Sequence, residues 1–393
     1  MRHAHILGLD ALRLLSILLV MGYHFVFWNW VQGQPFTKLL GQMGPNWGYL
    51  MHFGWVGVEI FFVISGYVIA FSASATKPSA FIQNRIIRLV PANVICATIV
   101  LLCLVAAGSG SIDFYLPRYV QTLVFWPLNS IDGPWWTLGI EIAFYLLVYA
   151  LLVKRKGEHL EKVMIFWSSV TLIFWICALS LTAILAQYKS SESEFLMYMV
   201  AKAQGNRILQ LLLVQHGAFF ALGVIIFNAS ERGLSRIRLA ALIIVVPACL
   251  LEIVGQNGII ARSSQLILSP IPALVAWICA MGFLIASVRY NIRLTTLRPR
   301  TKRILRFSGA ATYPLYLLHN GAGILIVTTM FSTFGNFAVL FAIIASIGLA
   351  LLIAWVPEPA VRTVILYFWP KIDRQNDPVA HAQFSLTRRA KNT

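Results

Sequence analysis

Charge is scarce in this sequence, and negative charge is the scarcer sign. Only 11% of the 393 residues are charged and 59% are hydrophobic, whereas about a quarter of a soluble domain is charged. The chain has 14 acidic residues against 31 Lys and Arg. The composition excludes a soluble globular protein and predicts an all-α membrane protein that spans the bilayer several times. Because cytoplasmic loops of membrane proteins collect Lys and Arg, we expect no nucleic-acid partner.

Several enzyme classes are disfavoured by motifs that the chain lacks. It has no HExxH pair, no phosphate-binding loop of the Walker or GxGxxG type and no GxSxG sequence, which argues against zinc hydrolases, nucleotide hydrolases and serine hydrolases. The five cysteines form no CxxC pair and fall in apolar segments, where we expect small buried hydrophobic residues. We predict no metal site and no permanently bound cofactor. The cysteines are Cys96, Cys103, Cys177, Cys249 and Cys279.

Long apolar runs are abundant. A spanning helix needs about 20 residues, and we predict about ten transmembrane helices. The first run is not closed by a signal-peptidase site, so we expect it to remain as the first spanning helix. The seventh run is short and contains Pro247 and Glu252. The predicted spans are 8–27, 54–74, 89–108, 134–153, 163–187, 208–227, 239–254, 266–287, 310–330 and 336–356.

The basic residues predict the orientation. With a cytoplasmic N-terminus, 24 Lys and Arg fall in segments on the cytoplasmic side and 6 in segments on the outer side. Such an imbalance sets the orientation of spanning helices. We therefore expect an integral membrane protein, surrounded by the lipid bilayer, with both termini cytoplasmic. The sequence leaves the oligomeric state open.

The first apolar run, Ile6 to Trp30, carries three ionisable residues. Such residues are costly inside a spanning helix and are candidates for function. Arg13 and His24 are eleven residues apart, about three helical turns, so they share a face and lie roughly 16 Å apart along the axis. Asp10 can pair with Arg13 from one turn away. Alternatively, Arg13 extends to the cytoplasmic headgroups and His24 belongs to an interfacial aromatic belt.

The second and third runs each carry a polar candidate. In GWVGVEIFFVISGYVIAF, the carboxyl group of Glu59 needs a partner or an altered pKa, and Ser65 and Gly66 form a spot where backbones can approach closely. In RIIRLVP, Arg85 and Arg88 share one helix face, which suits a phosphate-rich ligand. The alternatives are a packing face with a carboxylate at headgroup level, and ordinary basic residues of a cytoplasmic loop.

The fourth and ninth apolar runs contain the remaining candidate site residues. PWWTLGIEIAFYLL places Glu141 about two turns into its helix, with Trp136 before it and Tyr145 after it. A carboxylate at that depth can hold an imidazole in one tautomer. YPLYLLHN places His319 in the ninth run. We interpret His216, which stands alone in the sixth run, as structural.

Five of these stretches together resemble the acyltransferase-3 family of membrane O-acyltransferases. LDALR ends at Arg13 and His24 follows eleven residues later; GVEIFFVISGY, RIIRLVP, WWTLGIEIAFY and TYPLYLLHN then follow in the family's order. Glu59 stands where the family usually has an acidic residue, and Thr137 stands where it has Ser. The resemblance covers positions 7–320. Each motif alone is weak, whereas the ordered set is specific.

The resemblance implies an acyl-CoA-dependent O-acyltransferase. Family members move an acyl group, commonly acetyl, from cytoplasmic acyl-CoA to a hydroxyl of an exopolysaccharide, an O-antigen, another envelope glycan or a lipid-linked sugar. We therefore expect acyl-CoA as donor substrate, a glycan or other hydroxyl compound as acceptor, and the bacterial inner membrane as location. We expect residues 1–356 to form a single transmembrane acyltransferase domain without the additional SGNH domain of some members. Residues 357–393 are expected to form a basic cytoplasmic tail, first interfacial and then disordered.

The resemblance also implies roles for residues. His24 acts as general base on the acceptor hydroxyl, Arg13 binds or polarises the donor, and Glu141 supports the site as a third catalytic residue. Arg85 and Arg88, with Arg13, bind the donor. A His base suits alcohol acylation near neutral pH. The expected supporting residues are Asp10, Glu59, Ser65, Trp136, Tyr145 and His319.

Two other functions stay open at this point. A proton-coupled transporter or flippase would use Arg13, His24 and Glu141 as a path and would move substrate without consuming CoA. A non-catalytic receptor or scaffold would keep its function without His24. Within the enzymes, the acceptor, the acyl chain length and the choice between direct transfer and an acyl-enzyme are also open.

Overall fold

The protein is described by a computed structural model that covers residues 6–41, 46–108, 110–188, 190–291 and 298–368. Its regular elements are helices, and these ranges contain no strand. The predicted all-α class is confirmed. The helices are α1 Leu7–Gly22, α2 Pro35–Leu40, α3 Gly57–Ala75, α4 Pro78–Ala106, α5 Ile112–Leu123, α6 Trp136–Val153, α7 Leu160–Leu185, α8 Ser191–Gln204, α9 Arg207–Leu211, α10 Gly217–Arg232, α11 Arg236–Ser264, α12 Ile271–Arg289, α13 Pro299–Phe334, α14 Phe337–Trp355 and α15 Pro357–Phe368.

Nine stretches of the described chain are long and apolar enough to cross a membrane, and each matches a predicted span. Of the ten predicted spans, the sixth, 208–227, has no match among these stretches. It is divided between α9 and the 16-residue α10. Leu213 and His216, between the two helices, have positive φ angles of 60° and 67°. This left-handed backbone interrupts the helix, so the prediction of one continuous sixth span is wrong. The predicted seventh span, 239–254, lies within the 29-residue α11.

The first spanning helix changes pitch near its end. α1 continues into a π-turn, Tyr23–Phe27, and then a 3₁₀ turn, Trp28–Trp30. π-turns are rare and frequently occur at functional sites. The indole Nε1 of Trp30 donates to the carbonyl oxygen of Phe25 at 2.9 Å and stabilises this turn. His24 is thus presented from a π-turn, which the spacing of apolar residues does not predict.

Two glycines let α3 and α10 approach closely. A Cβ on Gly66 would lie 2.2 Å from the carbonyl oxygen of Phe220, and one on Gly223 would lie 2.1 Å from that of Val63. Real side chains do not tolerate such distances, so a larger residue would force the helices apart. The close backbone approach predicted at Gly66 is confirmed.

Five helices surround the interior that contains most of the predicted site residues. α1 packs against α3 and α13, α4 packs against α6 and α13, and α6 contacts α3. At the end of the described chain, α15 packs against α4 and α14. The predicted tail therefore begins as a packed helix, and its residues 369–393 lie outside the described residues.

Candidate active site

A cleft between α1, α3, α4, α6 and α13 brings three cations together. It encloses about 760 Å³ of space between atoms, part of it open to the surroundings. Arg13 from α1 and Arg85 and Arg88 from α4 line this cleft, and Glu141 from α6 lies among them. Four of the predicted catalytic and donor-binding residues thus share one cavity. The other polar lining residues are Ser65, Thr137, Tyr145, Thr312, Tyr313 and Tyr316.

Arg13 is held by Asp10 within α1. Nη1 of Arg13 donates to Oδ1 of Asp10 at 3.2 Å, and Asp10 is buried. α13 passes close to this pair, because a Cβ on Gly309 would lie 2.6 Å from Cγ of Asp10. The predicted pairing of the two residues is confirmed, and it holds Arg13 in the wall of the cleft.

Arg85 is a buried cation whose hydrogen-bond donors are only partly satisfied. Its Nη2 donates to Oγ of Ser72 at 3.2 Å, and its guanidinium lies 5.5 Å from the ring of Phe81 and 5.6 Å from that of Tyr145. Its Nε has no hydrogen-bond partner in the described part of the chain. Among the described residues, neither Arg85 nor Arg88 forms an ion pair with a carboxylate. Because an unpaired charge is costly to bury, the buried Arg85, together with the half-buried Arg88, favours an anionic ligand.

Glu141 is bound by hydroxyl groups. Oγ of Ser65 donates to its Oε1 at 2.7 Å, and the hydroxyl of Tyr145 donates to the same oxygen. The expectation that this carboxylate holds an imidazole is therefore wrong. Glu141 lines the same cleft as Arg13, Arg85 and Arg88 instead, so its carboxyl group lies among their guanidinium groups.

His24 pairs with His319, which lies 295 residues later in the chain. Nδ1 of His24 is 2.7 Å from Nε2 of His319. The ring centroids are 5.0 Å apart and the ring planes differ by 26°, so a proton between the two nitrogens lies nearly in both planes. His319 is completely buried, whereas His24 is half-buried. Sequence reasoning gave His319 only a supporting role and did not predict this contact.

The hydrogen bonds of His319 determine the tautomers of both rings when they are neutral. Nδ1 of His319 is 2.8 Å from the carbonyl oxygen of Tyr316. A carbonyl only accepts, so Nδ1 of His319 carries the proton and its Nε2 is an acceptor. His24 must then donate from Nδ1, which leaves the lone pair on its Nε2. No hydrogen bond to this Nε2 occurs within the described residues, so His24 has the free basic nitrogen that a general base needs.

Tyr316 connects the histidine pair to the cleft. Its side chain lines the cleft, and its hydroxyl lies 3.0 Å from Oγ1 of Thr137. Its ring centroid is 5.8 Å from that of His319, and its carbonyl accepts from that residue. Neither His24 nor His319 lines the cleft itself, so Tyr316 is the residue that lies between the cleft and the histidine pair.

A further polar chain beside the histidines was missed by sequence reasoning. Nδ2 of Asn29 donates to Oδ1 of Asn320 at 3.1 Å, and Nδ2 of Asn320 donates to Oδ1 of Asp132 at 2.7 Å. Asp132 also accepts from the backbone N–H of Gly133 at 2.7 Å. The available signal was the presence of two primary amides, Asn29 and Asn320, near histidines in apolar runs.

Glu59 belongs to a different cluster. Nδ1 of His216 lies 3.3 Å from Oε2 of Glu59 and 3.0 Å from Oε1 of Glu252. The ring of Trp136 lies 5.5 Å from the ring of His216. Neither Glu59 nor Trp136 lines the cleft. Glu59 thus has the partner that its burial requires, but this partner is a residue that the sequence presented as solitary.

The described residues contain no group of three or more His, Cys, Asp or Glu arranged to hold a metal ion. The residues that could bind a ligand are instead the guanidinium groups, the hydroxyl groups and the free imidazole nitrogen of the cleft and the histidine pair. This set suits an anionic ligand beside a group that gives up a proton.

Residues 6–357 match the family described as acyltransferase domain. The chain is 28% identical over 167 residues to Nodulation protein 10 of Rhizobium leguminosarum bv. viciae, a match that covers 36% of this chain and 43% of that protein. It is 28% identical over 211 residues to the putative peptidoglycan O-acetyltransferase YrhL of Bacillus subtilis (strain 168), which covers 47% of this chain and 29% of that protein. Each match spans less than half of the curated relative. No solved structure matches significantly.

The family match includes every helix that contributes to the cleft and to the histidine pair. It also agrees with the five ordered motifs and with the membrane-spanning helices, which make this an integral membrane protein. The chain belongs to the acyltransferase-3 family of membrane acyltransferases.

Proposed function

We propose that this protein transfers an acyl group, acetyl in the simplest case, from cytoplasmic acyl-CoA to a hydroxyl of a cell-envelope or exported carbohydrate. The observation that carries the proposal is the free Nε2 of His24, oriented by His319 and adjacent to a cleft with three guanidinium groups. The family supports acyl transfer. The name of the matched Bacillus subtilis protein, a putative peptidoglycan O-acetyltransferase, supports acetyl and a glycan acceptor.

The donor binds through its phosphate groups. Guanidinium groups pair with phosphate oxygens through two parallel hydrogen bonds, and Arg85 and Arg88 lack carboxylate partners among the described residues. Arg13 is roughly 16 Å from His24 along α1, at 1.5 Å per residue, a distance comparable to an extended pantetheine arm. The thioester therefore reaches the histidine pair while the nucleotide stays at the cationic end.

During the transfer one proton moves from the acceptor hydroxyl to the leaving thiolate, and His24 carries it. Nε2 of His24 takes the proton of the acceptor hydroxyl while the hydroxyl oxygen attacks the carbonyl carbon of the thioester. The carbon–sulfur bond then breaks, and the leaving thiolate receives the same proton from His24. Nε2 of His319 accepts the hydrogen bond from His24 Nδ1 and so stabilises the positive charge that His24 carries between the two steps.

The proposal also includes an orientation. The protein lies in the inner membrane with both termini in the cytoplasm. The orientation is supported by the basic residues, 24 of which fall in segments on the side of the N-terminus and 6 in segments on the other side. A reporter that is active only in the cytoplasm, fused after Thr393, is expected to be active. A reporter that is active only outside the cytoplasm, fused at the same point, is expected to be silent, and activity there would contradict the orientation.

The decisive experiment is release of CoA by the purified protein in liposomes. We expect acetyl-CoA and an envelope-glycan fraction to give free CoA and an acetylated glycan with the natural protein, and no turnover with His24→Ala. The matched control is His159→Ala, because His159 is exposed on the loop between α6 and α7. Turnover that is unchanged in His24→Ala would remove His24 as the base.

One observation favours the alternative of proton-coupled transport. Glu59, His216 and Glu252 form a second buried ionisable cluster, and such clusters occur along proton paths in membranes. Transport predicts no release of CoA from any acyl-CoA, and a substrate flux in proteoliposomes that depends on the pH gradient. Release of CoA with no such flux would exclude it.

A further inference from the structure

The polar chain of Asn29, Asn320 and Asp132 has a fixed direction. Oδ1 of Asp132 is an acceptor, so Asn320 must turn its NH₂ group toward Asp132 and its amide oxygen toward Asn29. Asn29 and Asn320 are 2% and 8% exposed. A buried amide that loses its hydrogen-bond partner is left unsatisfied, which destabilises the fold. The carboxylate therefore sets the orientation of both amides.

The two asparagines are attached to the segments that carry the two histidines. Asn320 follows His319 directly on α13, and Asn29 lies just beyond the π-turn that carries His24. Asp132 belongs to neither segment, since it lies in the loop before α6 and is anchored there by the N–H of Gly133. The chain of hydrogen bonds thus ties three separate segments together beside the histidine pair.

We propose that Asn29, Asn320 and Asp132 are positioning residues that hold the π-turn of His24 against His319. This inference rests on the proposed function, because it gives the three side chains their effect on turnover. They act through the histidines and leave the binding of the donor to the arginines. Their loss is therefore expected to lower kcat and to leave the Michaelis constant for acetyl-CoA within about twofold of its original value.

An exchange of side chains tests this role against a merely structural one. Asn320→Asp alone places two carboxylates where a donor and an acceptor now lie 2.7 Å apart, and like charges at that distance repel. When Asn320→Asp is combined with Asp132→Asn, the carboxylate at position 320 accepts from both Asn29 and the amide at position 132. The double variant restores both hydrogen bonds with their direction reversed at one position.

The experiment compares Asn320→Asp, Asp132→Asn, the double variant and Asn29→Ala in liposomes. We expect kcat to fall about 10–100-fold in Asn320→Asp, by analogy with the loss of groups that orient metal-binding histidines. The double variant is expected to recover kcat to within about threefold of the natural protein. Asp113→Asn is the matched control, because Asp113 is exposed on α5. A double variant no faster than Asn320→Asp would overturn the proposal.

A second measurement does not need turnover. In protein labelled with ¹⁵N-histidine, the Nδ1 signal of His24, assigned by its absence in His24→Ala, reports its hydrogen bond to His319. Asn320→Asp is expected to shift this signal and the double variant to return it; an unmoved signal in Asn320→Asp would overturn the proposal. If the natural protein releases no CoA, the proposed function fails while this signal still tests the positioning. A raised acceptor Michaelis constant with unchanged kcat would instead assign Asp132 to acceptor binding.

Discussion

Nδ1 of His24 lies 2.7 Å from Nε2 of His319, and this contact joins the end of the first spanning helix to α13. It gives His24 a defined tautomer, because His319 already donates from Nδ1 to the carbonyl of Tyr316. A lone histidine at the end of a helix would sample both tautomers. The pair instead leaves the lone pair on Nε2 of His24, the nitrogen that acts as base in the proposed mechanism.

His319→Ala is therefore expected to lower kcat by about 10–100-fold, as for other residues that orient a functional imidazole. The Michaelis constant for acetyl-CoA should stay the same, since His319 does not line the cationic cleft. Steady-state release of CoA checks both values, with His159→Ala as control. A kcat equal to that of the natural protein would show that His24 acts without its partner.

The sequence predicted the components of this site better than their contacts. Arg13, Arg85, Arg88 and Glu141 could be found because ionisable residues in apolar runs stand out, and the structure places all four in one cleft. The His24–His319 contact could not be found, because it depends on how two distant helices pack. Such contacts are specified by whole helix surfaces rather than by local spacing.

The same difference applies to the fold. Nine spans could be predicted because apolar length is a local property, whereas the break before α10 depends on positive φ angles at Leu213 and His216. Neither residue is a glycine, so the sequence offers no sign of a left-handed backbone. His216 keeps this conformation while its backbone N–H donates to Oε1 of Glu252 at 2.7 Å. A tertiary hydrogen bond thus accompanies the local departure from helix.

The two arginines of α4 can be tested with a shortened donor. The combined change Arg85→Ala and Arg88→Ala is expected to raise the Michaelis constant for acetyl-CoA about 10–100-fold, since a hydrogen bond to a charged group contributes about 1.5–3 kcal/mol. Acetyl-pantetheine lacks the phosphates of CoA, so its Michaelis constant should not change. Steady-state kinetics with both donors measure the difference, and Arg236→Ala is the control because Arg236 is exposed. An equal effect on both donors would contradict phosphate binding.

Gly223 tests the close packing of α3 and α10. Overpacking typically costs about 1–3 kcal/mol. Gly223→Ala is expected to destabilise the protein by more than this, because the added Cβ would meet backbone atoms 2.1 and 2.6 Å away. Thermal unfolding in detergent measures the effect. Gly282→Ala is the matched control, since a Cβ there has nothing within 4 Å. Equal melting temperatures for the two variants would mean that the helices separate at no cost.

Asp132 connects the positioning of the histidines to pH. Burial raises the pKa of Asp132 from 3.8 to about 6, although hydrogen bonds from Asn320 and from the N–H of Gly133 lower it. A carboxyl group with a raised pKa in the folded state favours folding most below its ordinary pKa, and this contribution is lost as the pH rises through the folded-state value. As the pH rises from 3.8 to about 6, the melting temperature of the natural protein should therefore fall relative to that of Asp132→Asn. Above that range the difference between the two melting temperatures should stay constant.

Thermal unfolding from pH 4 to pH 8 in detergent measures this difference, and Asp113→Asn should show no such step because Asp113 is exposed. Parallel curves for the natural protein and Asp132→Asn would contradict the raised pKa. The step would mean that the protein retains, at neutral pH, a buried carboxylate that costs stability. A carboxylate that only filled space would be better replaced by an amide. Its presence at the end of the hydrogen-bond chain from Asn29 through Asn320 is explained by the fixed amide orientation that an obligate acceptor imposes beside the His24–His319 pair.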